Sequence, residues 1–379
     1  MAYEVSAQQP TVDPTTTTAL RGSQAATVPA SEMPDATKEI LLVSGSSGLI
    51  GTAVIKALAG QYTIIGLDNK GFPYPPPEAE CITIDITSDE AVQKVFRDIR
   101  QKHGNRIACF IHLAAYYSFS EKTSPLYDKI TVEGTARLLE HLQSFQVEQF
   151  LFTSSMLVYL PTVPGVQLTE LSPVAATWGY PESKLKTEKI LHTQRGAIPV
   201  VSLRVAGVYS DAGDSIPITN QIQRIRERKI TSYFFPGDAS HGSTFIHLDD
   251  LVAVLGQAVK KRAVLPPDIV LNIGERETLS FSDLQRIIGT ALRGHAQPFI
   301  RIPKFLARWG AAVQNLFGSP FIKPWMVEFA DDNLDMDSSQ AEKLLDWQPQ
   351  RSLSETLPKM VAHLKADPQQ FYQANKLEA

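Results

Sequence analysis

Two places in the chain bring together residue types that could do chemistry. Tyr180 and Lys184 stand four apart in Tyr180-Pro181-Glu182-Ser183-Lys184, and Thr153-Ser154-Ser155 ends an apolar run. Residues i and i+4 share one face of a helix, so a helix through this stretch sets the Lys184 ammonium near the Tyr180 hydroxyl. A cation there favours phenolate over phenol and draws the tyrosine pKa from about 10 toward neutrality. Tyr180 is then a general acid or base on a hydroxyl or carbonyl, while Ser155 holds the same oxygen and hydride passes at carbon. With 11 Tyr in the chain, one such pair can arise by chance, so the reading depends on what surrounds it.

A hydride needs an acceptor, and Ile40-Leu41-Leu42-Val43-Ser44-Gly45-Ser46-Ser47-Gly48-Leu49-Ile50-Gly51 predicts its site: strand, glycine loop, helix. Gly45 can turn the chain at positive φ, Gly48 lets backbone approach a pyrophosphate, and Gly51 lets the helix pack close. The backbone N–H groups from Ser47 through Leu49 and Ile50 to Gly51, with the positive end of the helix dipole, then face the phosphates. The next strand, Gln61 to Asp68, ends in an acid about twenty residues on, where a carboxylate can bind a ribose 2′-hydroxyl. Asp68 would repel a 2′-phosphate, which favours NAD over NADP, with Lys70 close by as the contrary signal. The other reading of Asp68 is a solvated residue opening the turn that follows.

The elements that must position these groups follow in order. Gly71 to Pro77 is too rich in proline for helix or sheet interior. Cys81 to Thr87 alternates as a third strand, with Asp85 and Ile86 at its carboxyl end, where Asp85 either meets the adenine or serves the turn. Ile107 to Ala115 is the fourth, and its exit, Leu113-Ala114-Ala115, lets backbone lie against a cofactor at the point where strand order reverses. His112 within it reads as structural. Tyr116 and Tyr117 either line a substrate pocket or cover the core, and a helix runs from about Pro125 to Phe145. The fifth strand, Gln149 to Ser155, runs on into Met156, which with Ser155 and the two tyrosines is a candidate substrate contact. This order predicts an α/β fold with a doubly wound parallel sheet (Rossmann fold) over 38–210, to which parts of 240–275 return. A smaller C-terminal α/β substrate-binding part occupies 211–366, and 367–379 reads as a frayed end. Phe305, Leu306, Trp309, Val313 and Leu316 form a stripe at helical spacing, read first as a core face; the alternative is an apolar lid or a membrane-touching helix.

Composition bounds the function. A chain of 379 residues that is 43% apolar can bury a large core, and a net charge of −4 with interspersed signs excludes a basic field for nucleic acid. The only cysteines, Cys81 and Cys109, fall in the third and fourth strands, which a doubly wound sheet separates by two others, beyond disulfide reach. They read as buried thiols in a reducing, cytoplasmic compartment. Metal-ligand spacing of Cys and His is absent. Residues 1–37, with Thr15 to Thr18 in a row and few large apolar side chains, predict a disordered tail without the marks of a signal or transit peptide. No apolar run is long enough to span a bilayer.

As a set, the glycine loop, His112-Leu113-Ala114-Ala115, Ser154-Ser155-Met156-Leu157-Val158-Tyr159 and Tyr180-Pro181-Glu182-Ser183-Lys184 resemble the extended short-chain dehydrogenase/reductases, the NAD-dependent epimerase/dehydratase group. Leu203 to Tyr209, Phe245 to Leu251 and Leu271 to Gly274 carry the resemblance on, so that it runs from about Lys38 to His363. It implies Ser155, Tyr180 and Lys184 as the catalytic set, bound NAD, a small-molecule substrate, and a homodimer through the helices near 125–145 and 180–195. The chain departs from that pattern at Thr131, where the family often has Asn. It departs again at Gly207 and Ser243, where sugar-nucleotide members carry Asn and Arg; a diphosphate needs such forked donors. These departures tilt the expectation toward a dehydrogenase of the hydroxysteroid or dihydroflavonol reductase kind, with a nucleotide-sugar epimerase or dehydratase as the alternative. A third reading, a non-catalytic NAD-sensing regulator, fits relatives that lost the Tyr/Lys pair, which this chain keeps.

Overall fold

The structure, a computed structural model, describes residues 38–69, 76–118, 122–316 and 323–377. The tail over 1–37, Lys70, most of the proline-rich loop and the Phe119-Ser120 pair therefore lie outside the described residues.

Seven strands, β1 (Ile40–Ser44), β2 (Thr63–Asp68), β3 (Glu80–Thr83), β4 (Cys109–His112), β5 (Phe150–Ser155), β6 (Val200–Val205) and β7 (Asp268–Ile273), make one sheet. Its order is β7-β6-β5-β4-β1-β2-β3, and every pairing is parallel. Strand order reverses between β1 and β4, which opens the crevice in which doubly wound sheets bind ligands. Alternation along β1 explains why it is apolar throughout. Leu41 and Val43 join a core on one side of the sheet and Leu42 a core on the other, all fully buried. Each such side chain contributes about 1.5–3 kcal/mol of transfer free energy.

Helices α1 (Leu49–Leu58) and α6 (Leu248–Lys260) cover the first side. On the second side lie α2 (Asp89–His103), α3 (Glu133–Leu142) and α4 (Gly179–Gln194). Ser88 starts α2 by accepting the Ala91 N–H at 3.3 Å. The helix expected over 125–145 is two pieces, a wide π-type turn at Tyr127–Val132 and then α3. A third core, built from Ile222, Ile288, Leu357 and Met360, joins α5 (Ile216–Arg226), α7 (Phe281–Arg293) and α10 (Leu353–Ala366). Helix α8 (Lys304–Leu316), α9 (Ser339–Leu345) and α11 (Pro368–Ala374) complete the set.

Four expectations need correction. The third strand stops at Thr83, so Asp85 lies in the turn beyond it. Cys81 is exposed rather than buried, because β3 is the sheet's edge; Cys109, in a central strand, is buried as expected. The segment past Asp367 is helical: Asp367 caps α11, Phe371 is buried, and Asn375 donates to the Ala212 carbonyl at 2.9 Å. Among its described side chains the stripe on α8 is no core face, since Phe305 is 70% and Trp309 73% exposed; the Leu316 side chain lies outside the described residues.

Candidate active site

The glycine loop leaves β1 at Gly45, whose φ of 71° lies where other residues are strained. A Cβ there would come within 2.9 Å of the Ala114 nitrogen, so Leu113 and Ala114 do lie directly against the loop. A Cβ at Gly51 would strike the Gly45 carbonyl oxygen, which is why the helix can begin this close. Gly48, in extended conformation, precedes α1 with no side-chain cap, leaving the first-turn N–H groups of Leu49, Ile50 and Gly51 without intrahelical partners. Asp68 closes the cradle: one carboxylate oxygen accepts the Ser47 N–H and the other the Asn69 N–H, both at 2.8 Å. Uncapped donors, a cradle that a Cβ would fill and a fixed acid at the end of β2 fit a dinucleotide.

Asp85 is exposed, and one of its oxygens accepts the Thr87 N–H and hydroxyl at 2.9 and 2.8 Å, bonds that hold its pKa below the usual carboxylate range. Ile86 packs on Gly134 of α3, and its carbonyl accepts from Arg137 at 2.7 Å. His112 is neutral and structural: it bonds the Ser44 hydroxyl at 2.6 Å and that of Thr135 at 2.8 Å, and burial pushes its pKa down to about 3. Thr131 has a post of its own, its hydroxyl accepting the Tyr116 N–H at 3.0 Å.

Tyr180, at the first turn of α4, comes near enough to Ser155 at the end of β5 for the serine side chain to oppose the rise in its pKa. The start of α4 and the end of β5 thus lie together, and Lys184 of the helix donates to Thr153 of the strand. The expected effect of Lys184 on the phenol is absent, however. Burial pushes the Tyr180 pKa up to about 12, opposed by Ser155 and reinforced by Tyr127. The Lys184 nitrogen lies 5.7 Å from the Tyr180 ring centroid and donates to the Thr153 carbonyl. Burial also pushes Lys184 down to about 7, against the attraction of Glu188. Desolvation, which sequence spacing does not report, outweighs the neighbouring charge.

Tyr117 and Tyr116 take different parts. Tyr117 stands edge-on to Tyr180 with ring centroids 4.8 Å apart, while Tyr116 packs on buried Tyr127 at 5.0 Å. Met156 is buried in the sheet core. Two elements escaped the sequence reading. Trp178 lies 5.7 Å from Tyr180 and 5.4 Å from Trp325, and helps to wall a cavity of about 970 Å³. Behind Tyr180, Glu188 of α4 pairs with Arg204 of β6 at 2.8 Å and accepts the Ser154 hydroxyl at 2.5 Å. Arg204 also donates to the Tyr159 hydroxyl, which donates to Asn272 of β7. The network fastens α4 across three strands. Only the four-residue step from Lys184 to Glu188 could have signalled it.

Residues 41–274 match the NAD dependent epimerase/dehydratase family. A putative UDP-glucose 4-epimerase of Methanocaldococcus jannaschii is 25% identical over 66% of this chain and 81% of its own. The decarboxylating sterol-4-alpha-carboxylate 3-dehydrogenase of Schizosaccharomyces pombe is 23% identical over 75% and 84%. Among solved structures, the UDP-glucose 4-epimerase of Thermus thermophilus in complex with NAD superposes with a TM-score of 0.65 at 19% identity, covering 86% of this chain and 99% of that one.

Proposed function

This chain belongs to the NAD-dependent epimerase/dehydratase family, and we propose that it moves hydride between bound NAD and a secondary alcohol or ketone, Tyr180 handling the proton. The observation that carries the reading is the meeting of α4, bearing Tyr180 and Lys184, with the carboxyl end of β5, where Lys184 donates to the Thr153 carbonyl and Ser155 stands near Tyr180, in the same parallel sheet whose β1 ends in the glycine loop. Ser47, Gly48, Leu49, Ile50 and Gly51 would hold the pyrophosphate, Asp68 the adenosine ribose, Asp85 and Ile86 the adenine side, and Leu113 to Ala115 the far wall. NAD supplies the hydride acceptor and, in its oxidised form, a positive charge in the cleft. Ser155 holds the substrate oxygen, and Tyr180 as phenolate takes its proton in oxidation and as phenol returns it in reduction. Lys184, desolvated and tied to Thr153, orients this end of α4.

The relatives move the expected outcome away from a hydroxysteroid-type dehydrogenase toward a nucleotide-sugar epimerase, in which the hydride returns to the substrate that gave it. The test is incubation with UDP-glucose or UDP-glucuronate in the presence of NAD, following the C4 epimer by NMR. Epimer formed without net NADH supports the reading; none formed by a protein that binds NAD opposes it. One observation favours net oxidation of an apolar alcohol instead. A Cβ at Gly207 would meet the Phe245 ring at 2.7 Å, so the Asn of sugar-nucleotide members has no room. NADH accumulating with a hydroxysteroid would decide for that second reading. A homodimer through α3 and α4 belongs to both.

A further inference from the structure

The cavity beside Trp178 is walled by aromatic and aliphatic side chains, among them Phe235, Phe281, Ile288 and Trp325. Arg224 of α5 is the one basic residue among the described residues that line it. Its setting is unusual for a guanidinium. Nε is sealed from solvent without a hydrogen-bond partner, and no carboxylate among the described residues forms an ion pair with it. The acids that share the cavity wall are otherwise engaged or distant: Glu328 pairs with Arg308 at 2.7 Å, and Asp332 faces Lys304. Burial alone pushes the Arg224 pKa down to about 10, with no anion opposing it.

The guanidinium is nonetheless held in place. It donates to the side-chain oxygen of Gln221, whose amide donates to Gln285 at 2.6 Å, and Gln285 donates to the Ser232 carbonyl at 2.9 Å. Gln221 and Gln285 are 5% and 1% exposed. A buried relay of amides that ends on an unpaired cation is costly unless something pairs with that cation. A guanidinium favours carboxylate and phosphate, and the flat side chains around it favour a ring.

We propose that this cavity binds a ligand with a flat ring body and an anionic group, and that Arg224 pairs with the anion. The ring lies along Trp178 and Phe281, and Trp178, its ring centroid 5.7 Å from that of Tyr180, links the cavity to the reacting residue. A nucleoside diphosphate and a ring-bearing lipid acid share this chemistry. The inference rests on the reading of Tyr180 as the reacting end of the same cleft.

The test measures binding of UDP, of a steroid carboxylate and of its uncharged methyl ester by tryptophan fluorescence, Trp178 and Trp325 being in the wall, in wild type and Arg224→Gln. Wild type should bind at least one of the two anions, and Arg224→Gln should lose about 30-fold or more of that affinity. The ester, if bound, should be unaffected, and NAD affinity should be unchanged, which shows that the variant folds. UDP binding alone points to a nucleotide ligand, and carboxylate binding alone to a lipid acid. Arg224→Met should also raise the melting temperature of the ligand-free protein by removing an uncompensated charge. Failure of both anions to bind, or equal affinity in Arg224→Gln, overturns the proposal. The hydride reading fails separately, if Tyr180→Phe turns over like wild type.

Discussion

The Lys184 ammonium donates to the Thr153 carbonyl oxygen over 2.7 Å and lies 4.8 Å from the centroid of the Phe152 ring. Thr153 is two residues before Ser155 on the same strand, so this one bond joins the helix that carries Tyr180 to the strand that carries its partner. Lys184→Met should therefore weaken NAD binding and lower turnover by about 10²-fold. Titration calorimetry and steady-state rates check it; normal values for both would remove Lys184 from the site.

Behind that bond, removing Glu188 leaves Arg204 buried without its carboxylate. Glu188→Ala should cost about 3 kcal/mol of stability, the usual scale for breaking one side of a buried pair. Urea unfolding measures it. A loss below about 1 kcal/mol would mean that solvent reaches Arg204, against its 8% side-chain exposure.

Asp68 shapes the glycine loop by accepting the Ser47 N–H and, on the proposed reading, faces the ribose. Asp68→Ala should reduce the preference for NAD over NADP by about tenfold or more, as a fixed negative charge is removed from beside a 2′-phosphate. An unchanged ratio in paired affinity measurements would assign the discrimination to another group.

Glu275 gives the fold a pH dependence. It is buried beneath the Tyr209 hydroxyl and the Leu353 N–H, and burial pushes its pKa up to about 8, against the bond from Tyr209. Between the ordinary glutamate pKa of 4.5 and about 8, the folded chain holds a proton that the unfolded chain has released. Its contribution to stability is thus complete below the lower value and lost as pH rises through the upper one. Glu275→Gln should flatten that decline, as urea unfolding at pH about 5 and about 8 would show. A decline as steep as wild type's would assign it to other groups.

Much of this architecture is legible in the sequence because it is written in short-range patterns. Leu41, Leu42 and Val43 report a strand buried on both faces, and the three glycines report a turn no other residue could make so closely. Tyr180 and Lys184 show their shared face through spacing. What spacing omits is environment. It does not reveal that β3 is an edge and leaves Cys81 exposed, or that the apolar stripe with Phe305 and Trp309 faces outward. Nor does it show that burial, rather than Lys184, sets the Tyr180 pKa. Arg204 and Glu188, 16 residues apart, and Gln221 and Gln285, 64 apart, meet only once the chain has folded.

The most direct test of hydride transfer at Tyr180 is the absorbance of reduced nicotinamide on the NAD-loaded protein, followed as UDP-sugars and hydroxysteroids are added in turn. Wild type should form reduced nicotinamide with at least one of them, transiently where a UDP-sugar is epimerised and cumulatively where a hydroxysteroid is oxidised, and Tyr180→Phe, with NAD still bound, should slow its appearance by about 10²–10⁴-fold. Reduction at the same rate in Tyr180→Phe would contradict the assignment.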